Sequence, residues 1–322
     1  MRLPQNLAVS NRNDRRAALA AGVLALGLLI TASSVHAQAT PEGETKSLTT
    51  KDGWPLFITY YEGVDAGKET PVIVMLHGAK GSRLVWKPTE LIKKLHENKF
   101  AIVTVDLRKH GESVAPENFP AAARSPKLTR VDYAAMVGQD LETVKKFLYE
   151  EHQGQKLNMR KTGLVAADFS AVIALNWAMA DWLKTPYDDA PTLNAKTPRG
   201  QDVQAMLLYS PKDSVSGFNN VKALQVLRGT GMAAMLLYGG KNPSDKRTGI
   251  KIYKAIGGER QDEETRRMYQ REFPTKASGT ALLRLNLGKP SPSEFGLLFF
   301  RKHLQDLKGV NYEWRDRKSR LK

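Results

Sequence analysis

Five short apolar runs, four to seven residues long, constrain the fold of this chain more than any other feature of its sequence. Runs of this length without alternating polar residues are typical of strands buried on both faces of a sheet. Segments with apolar residues at helical spacing lie between them, as at Val137, Leu141, Val144 and Leu148. This alternation predicts the α/β class, with a mostly parallel central sheet and helices on both of its faces. The five runs are Pro71–Leu76, Phe100–Val105, Leu164–Ala167, Val203–Tyr209 and Met232–Tyr238.

Local signals predict several further elements. In Thr49–Tyr61, apolar residues alternate with polar or exposed ones as in a β-hairpin, around a turn at Lys51–Gly53. Thr129 and Asp132 have the spacing of a capping box at the start of a helix. Helical spacing is also found in Phe169–Leu183, Ile250–Ile256 and Glu294–Leu304.

The residues that follow the buried strands are the first candidates for function. In open parallel sheets, ligands bind beyond the carboxyl ends of the strands. We therefore expect one edge of the sheet to bring together His77, Asp106, Asp168, Pro211 and Gly239.

Residues 1–37 have the three parts of a secretory signal peptide. A basic start with four arginines precedes the uncharged run Ala17–Ile30, and Val35–Ala37 suits signal peptidase, with cleavage before Gln38. The alternative is an uncleaved membrane anchor, because Ala17–Val35 is just long enough to span a bilayer. No later run is long and apolar enough for that. We therefore expect a secreted or periplasmic protein without integral membrane association after cleavage.

Charge and cysteine content restrict the classes of partner and of metal site that this chain can have. The chain has no cysteine, which excludes disulfides and thiolate metal sites and, in an exported protein, suggests a bacterial periplasm. The net charge is +16, and the four arginines and one aspartate of the signal leave +13 on residues 38–322. This excess favours an anionic small molecule or an anionic envelope component as partner. Exported proteins seldom meet nucleic acid, so we expect none.

The densest basic cluster lies at the carboxyl terminus. We expect it to be a loose tail, because terminal segments are often poorly held. The alternative is a polyanion-binding surface in which this tail makes the contacts. The cluster comprises Arg315, Arg317, Lys318, Arg320 and Lys322.

The passage from the third apolar run into the next helix has the character of a nucleophile turn. Hydrolases with the pattern G-x-S-x-G place a serine at such a turn and need small residues two positions on either side of it. Here Ala166 and Ser170 are small, but the residue at the apex is Asp168. Ser170 is a poor substitute, because its own flanking residues, Asp168 and Val172, are too large for the turn.

Together with two further motifs, this turn resembles the α/β-hydrolase fold superfamily. Val74–Ser82 is similar to the strand and H-G-x-x-G loop of that family, and Val105–Ser113 to its D-x-R-G-x-G-x-S segment, with Lys109 in place of a glycine. The resemblance implies that residues 38–322 form one α/β-hydrolase-like domain. It has no large cap domain, because only Ser210–Gly231 separates the two strands between which a cap is usually inserted.

The resemblance also implies roles for individual residues. Backbone N–H groups of Ala79 and Phe169 would form an oxyanion hole, and His77 and Gly78 would lie in the substrate-binding loop. Within that loop, we expect His77 to brace the backbone by hydrogen bonding. The family's acid falls at Asn242, with Asp245 three residues on. The family's histidine should precede the last helix, but Phe273–Ser293 contains none. His303, which lies on that helix, is predicted to be a helix-face residue.

Two interpretations of Asp168 remain open. In haloalkane dehalogenases and epoxide hydrolases of the superfamily, an aspartate at this turn attacks carbon, and a histidine then activates water. Here the available partners are His77 or His110, with an acid such as Asp213 or Asp245. The structural interpretation makes Asp168 a helix N-cap. Because the triad histidine is missing, we expect a binding or interaction module with little or no catalysis. A hydrolase of esters, amides or sp³-carbon substrates with an atypical Asp168-centred site is the alternative. We expect no metal and no cofactor.

Overall fold

An eight-stranded sheet forms the centre of the computed structural model, which describes residues 41–320. The strands are β1 (Glu44–Thr49), β2 (Pro55–Tyr61), β3 (Val72–Leu76), β4 (Ala101–Val105), β5 (Thr162–Ala167), β6 (Val203–Tyr209), β7 (Ser214–Val215), β8 (Phe218–Asn219), β9 (Ala233–Gly239) and β10 (Met268–Phe273). The sheet order is β1-β2-β4-β3-β5-β6-β9-β10, and β7 and β8 form a separate small hairpin. Only β2 runs against the direction of the other strands in the large sheet. The predicted signal segment, residues 1–37, lies outside the described residues.

Helices cover both faces of the sheet, as the alternation of elements predicts. They are α1 (Glu90–Glu97), α2 (Ala121–Arg124), α3 (Arg130–Ala135), α4 (Leu141–Gln153), α5 (Ser170–Trp182), α6 (Val221–Leu227), α7 (Pro243–Ala255) and α8 (Pro292–Phe300). One apolar core joins the sheet to α4, α5, α6 and α7, and a second joins its other face to α1 and α8. Within residues 41–320, no helix has the length and apolar character that a membrane span needs.

Close packing in the second core requires a glycine near the start of β5. A Cβ atom on Gly163 would lie 2.7 Å from side-chain carbons of Ile73 and Leu304 and 2.8 Å from Phe300. The sheet and the chain around α8 therefore approach more closely than any side chain at this position would allow.

The predicted fold class and the five buried strands are confirmed, and the differences have physical reasons. β10 was missed because its central residues are polar and exposed, so it has no apolar run. Helix α7 begins seven residues before the predicted Ile250, at Pro243, because Asn242 caps it by accepting a hydrogen bond from the Asp245 N–H at 3.3 Å. The insertion between β6 and β9 is limited to the β7–β8 hairpin and α6, in agreement with the absence of a large cap.

The carboxyl-terminal segment is docked, so the expectation of a loose tail is wrong for the part that the structure describes. Arg317 is buried and donates two hydrogen bonds of 2.7 Å to the carboxylate of Asp202. Trp314 stacks on His152 at 4.9 Å and donates to its carbonyl oxygen at 3.1 Å. A buried carboxylate needs a cation beside it, and Arg317 supplies one, which fixes the segment in place.

Candidate functional site

The turn between β5 and α5 has the sharp geometry that its small residues predict. Asp168 lies at the apex with a φ of 55°, a left-handed conformation that aspartate tolerates better than most residues. Ser170 is fully buried, and its hydroxyl donates to the Leu76 carbonyl at 3.0 Å and accepts from the Ala167 N–H at 3.0 Å. Ser170 therefore braces the turn and is not available as a nucleophile.

The Asp168 carboxylate faces the loop after β3 rather than the helix that follows it. Its Oδ2 accepts a hydrogen bond from the Ala79 N–H at 3.3 Å, and its Oδ1 lies 3.8 Å from Nζ of Lys212. The start of α5 has no side-chain cap. The interpretation of Asp168 as a helix N-cap is therefore wrong, because the left-handed backbone turns its side chain away from the helix.

Lys212 links Asp168 to the second predicted acid. Its Nζ also lies 3.6 Å from Oδ1 of Asp245, a side chain that is only 1% exposed. The other carboxylate oxygen of Asp245 is buried without a hydrogen-bond partner among the described residues. The resulting Asp168–Lys212–Asp245 array places an ammonium group between two carboxylates. Sequence reasoning missed Lys212, although its position three residues after β6 was a usable signal.

The two other residues considered for the position of the acid, Asn242 and Asp213, do not join this array. Asn242 is the cap of α7, as described above. Asp213 pairs with Lys251 at 2.5 Å, and this hydrogen bond lowers the pKa of Asp213. Asp213 is thus engaged on the far side of the loop after β6.

The predicted oxyanion-hole residues do border the turn. Ala79 already donates its N–H to the Asp168 carboxylate, so an acceptor on a ligand would have to displace Asp168 from this donor. Phe169 directly precedes α5, and its ring stacks on His110, with the ring centres 5.4 Å apart. Gly78 lies beside the turn, and a Cβ atom there would be 3.5 Å from that of Asp168.

His77 is not in a position to bind a substrate, contrary to the expectation from the resemblance. It is fully buried; Nδ1 donates to the Gly78 carbonyl at 2.8 Å, and Nε2 accepts from the Leu107 N–H at 3.3 Å. Burial and the nearby His110 lower the pKa of His77 to about 4. A neutral ring with both nitrogens engaged holds the loops after β3 and β4 together.

His110 reaches the site but does not pair with Asp168. Its Nδ1 lies 3.0 Å from the Arg108 carbonyl oxygen, and burial lowers its pKa, so the ring is neutral at pH 7. No histidine forms an ion pair with Asp168 within residues 41–320. His303 is a buried helix-face residue that contacts Tyr269 at 3.1 Å, as predicted from its spacing.

The loop where the resemblance implies a histidine does approach Asp168. It follows β10, and a Cβ atom on Gly279 would lie 4.0 Å from that of Asp168. Gly279 has a φ of 57°, a conformation that favours glycine. The backbone thus comes to the expected place, but the residue there carries no side chain.

Asp168 opens onto a cleft of about 520 Å³ at the carboxyl ends of the strands. Its apolar lining is formed by Pro126, Leu128, Tyr133, Phe169 and Val215. Its cationic lining is formed by Lys80, Lys109 and Lys212. No group of three or more potential metal-ligating side chains exists in residues 41–320. This size and mixture of surfaces suit a small ligand that has an apolar body and an anionic group.

Three of the nine non-glycine residues with a positive φ in residues 41–320 line this cleft. Lys80, Lys109 and Asp168 all line it and have φ values of 57°, 64° and 55°, which are costly for residues with a Cβ atom. Lys109 is held there by Asp132 at 3.0 Å, whereas Lys80 is exposed and pairs with no acid of the described chain. Strained residues of this kind persist at ligand sites more than elsewhere.

Several solved structures are similar to this one. An esterase of Pyrococcus furiosus matches with a TM-score of 0.54 and 12% identity, over 82% of this chain and 92% of the esterase. A dienelactone hydrolase of Anabaena variabilis matches with a TM-score of 0.54 and 16% identity, over 82% of this chain and 99% of that one. An acylaminoacyl peptidase of Pyrococcus horikoshii matches over 84% of this chain but 43% of its own, with a TM-score of 0.53 and 14% identity. No protein-family model and no curated protein matches the sequence.

Proposed function

We propose, from the α/β-hydrolase fold that this chain has, that it binds a small anionic molecule in the cleft at Asp168 and does not turn it over. The observation that carries the proposal is the environment of the Asp168 carboxylate. It is held by a backbone N–H and by an ammonium group, and no imidazole pairs with it within residues 41–320.

Turnover at an aspartate nucleophile needs a group that takes a proton from water. An ester formed on Asp168 would require such a base to be hydrolysed. The group nearest to the carboxylate on its open side is the ammonium of Lys212, which has no lone pair to accept a proton. His110 is neutral, but it is held on the Arg108 carbonyl and stacked on Phe169, away from the carboxylate.

The backbone donors support binding better than catalysis. In a hydrolase, these N–H groups wait for the negative charge that develops on a substrate oxygen. In this protein the carboxylate of Asp168 accepts from the Ala79 N–H and already supplies that charge. A ligand with its own carboxylate can take the same donor and, at the same time, pair with Lys80 or Lys212.

We also propose that the protein acts outside the cytoplasm, where an anionic envelope component is the other available partner. This rests on the signal-like residues 1–37 and on the +13 charge of the remainder. Mass spectrometry of the protein from cell fractions tests it. We expect a periplasmic or secreted form that begins at Gln38, whereas a full-length membrane-associated form would contradict export with cleavage.

A turnover panel tests the absence of catalysis. Residues 38–322 would be incubated with acyl esters, aminoacyl amides and haloalkanes, and product would be counted per protein molecule. We expect none above the uncatalysed rate. Multiple turnover that disappears in Asp168→Ala would overturn the proposal.

Lys80 allows binding to be tested without damage to the fold. Calorimetry would compare benzoate with benzamide, which have the same ring but differ in charge. We expect benzoate to bind and benzamide not to bind, and we expect Lys80→Gly to weaken the binding of benzoate several-fold. Lys99→Gly is the matched control, because Lys99 is also an exposed lysine with a positive φ, 66°, but does not line the cleft. Equal binding of benzamide, or an equal loss in both variants, would contradict an anion site here.

A hydrolase with an atypical site is the second candidate, and one observation favours it. Lys212 bridges Asp168 and Asp245 in the order in which a base bridges a nucleophile and an acid. A reactive Asp168 would form an ester with a haloalkane or an epoxide and add its alkyl group to the protein mass. We expect no adduct. An adduct that is absent in Asp168→Asn would favour this candidate instead.

A further inference from the structure

A second cavity, of about 420 Å³, lies at the opposite edge of the sheet from the cleft. Three of its lining residues lie just before strands: Arg160 and Gln201 lie two residues before β5 and β6, and Thr230 lies three residues before β9. The amino ends of these parallel strands therefore form its floor. Its walls come from the loop between α5 and β6 and from the carboxyl-terminal segment. We refer to it as the amino-end cavity.

The lining of the amino-end cavity is cationic. It contains Arg160, Lys196 and Arg315 and, within the described residues, no aspartate or glutamate. Lys196 pairs with Asp188 at 2.5 Å, and Arg160 lies 3.8 Å from Asp202, so Arg315 is the cation of the lining without an acidic partner among the described residues. Arg160 is only 11% exposed and donates to the Asn311 carbonyl at 2.8 Å and the Gly200 carbonyl at 3.3 Å. Burial lowers the pKa of Arg160, and the cations of Arg317 and Arg315 lower it further, against the pull of Asp202. An anion in the cavity would relieve this crowding of positive charge.

Arg315 is well placed to supply the contact with such an anion. Its guanidinium makes one hydrogen bond, from Nη1 to the Asn194 carbonyl at 3.0 Å, and has no acidic partner among the described residues. Its backbone carbonyl is separately fixed by Nε2 of His152 at 2.8 Å. The side chain thus carries free donors on an anchored backbone. A guanidinium fork matches the geometry of a carboxylate.

The rest of the lining suits hydroxyl groups and flat apolar surfaces. Asn194, Gln201 and Asn311 are exposed, and their side-chain amides make no hydrogen bond within the described chain. Each amide offers both donors and an acceptor, as sugar hydroxyls require. Trp182 and Tyr312 add aromatic surface. A nucleic-acid site would instead present a stripe of cations along a phosphate backbone.

We propose that the amino-end cavity binds an acidic oligosaccharide, with a uronic carboxylate on Arg315 and Arg160 and the sugar hydroxyls on the amides. This site is separate from the cleft at Asp168, and it uses part of the basic terminal cluster without requiring a loose tail. It does not depend on the function proposed for the cleft.

Calorimetry on the full chain with trigalacturonate tests the proposal, with the methyl-esterified trisaccharide as the neutral counterpart. We expect the acid to bind and the ester to bind at least tenfold more weakly. Arg315→Gln should weaken binding of the acid at least tenfold, and Asn311→Ala should weaken it several-fold. Arg284→Gln is the matched control, since Arg284 is exposed, is not paired with an acid and lies outside this cavity. It should leave the affinity within twofold, as should Lys80→Gly in the cleft.

Several results would overturn the proposal. The first is that the trisaccharide acid does not bind, and the second is that the ester binds as tightly as the acid. The third is that Arg284→Gln loses as much affinity as Arg315→Gln, which would indicate only non-specific attraction. Tighter binding of a thymidine oligonucleotide, sensitive to Arg315→Gln, would assign the cavity to phosphate instead. Because unfolding could also remove binding, each variant's melting temperature is compared with that of the wild type. If Arg315→Gln does not fold, Asn311→Ala decides on its own.

Discussion

Replacement of Arg317 tests whether the docked carboxyl-terminal segment contributes to the stability of the fold. Arg317 and Asp202 are 4% and 2% exposed and share two hydrogen bonds of 2.7 Å. Each charge-assisted bond of this kind contributes about 1.5 kcal/mol or more. Removal of one partner of a buried pair costs about 3–5 kcal/mol. Asp202 would keep Lys145 at 2.9 Å, so we expect Arg317→Met to cost about 3 kcal/mol, the lower end of this range.

Urea unfolding of residues 38–322 would measure the change, with Arg320→Met as the control. Arg320 has an exposed side chain on the same segment, and its loss should cost less than about 0.5 kcal/mol. Burial alone would raise the pKa of Asp202, but Arg317, Lys145 and Arg160 outweigh burial and lower it. The contribution of a carboxylate with a depressed pKa is complete above its unfolded pKa and is lost as the pH falls towards the folded one. The difference between wild type and Arg317→Met should therefore shrink below about pH 4. Equal unfolding free energies for the two variants at pH 7 would refute the reasoning.

Three further predictions concern the site. Asp168→Ser should introduce the serine of the hydrolase pattern without producing measurable ester hydrolysis, because no imidazole pairs with the side chain at position 168 within residues 41–320; steady hydrolysis would refute this. Ser170→Ala should lower the unfolding free energy by about 1–3 kcal/mol, because it leaves the Ala167 N–H without its buried acceptor, yet it should leave benzoate affinity unchanged in calorimetry. His77 should remain neutral down to about pH 5 in a proton NMR titration, since burial and His110 lower its pKa to about 4. The contribution of neutral His77 to the free energy of unfolding is fully present above its ordinary pKa of about 6.5 and is lost as the pH falls towards 4. A ring that titrates near pH 6.5 would contradict its buried placement.

The fold was predictable because its signals are local and repeated. Strands buried on both faces, such as Val203–Tyr209, need only an apolar run, and the alternation with helices then fixes a parallel sheet. The edge strand Met268–Phe273 has a polar, exposed centre, so nothing in its composition separates it from a loop. The carboxyl-terminal segment was misjudged for a related reason. Arg317 looks like a surface residue until Asp202, 115 residues earlier in the chain, is brought beside it.

The candidate site was only partly predictable, since its chemistry depends on side-chain direction. The sequence places Asp168, Ala79, Phe169 and His110 at one edge of the sheet, and the structure brings these four to the cleft. It could not show that the Asp168 carboxylate would turn towards Ala79 rather than cap its own helix. The small residues of the turn predict its sharp backbone, but they do not specify which neighbouring group the side chain at the apex contacts.

The array of Asp168, Lys212 and Asp245 suggests why the missing histidine and the added lysine belong together. Two neighbouring carboxylates repel each other unless a cation lies near both, and Nζ of Lys212 lies 3.8 Å from Asp168 and 3.6 Å from the buried Asp245. A neutral imidazole would leave that repulsion in place, whereas an ammonium removes it but cannot accept a proton. Under the function proposed above, the arrangement that stabilises this edge of the sheet therefore lacks a group that accepts a proton. On the same proposal, hydrolysis at Asp168 would require at least two coordinated changes: removal of the Lys212 charge and an imidazole in the loop at Gly279.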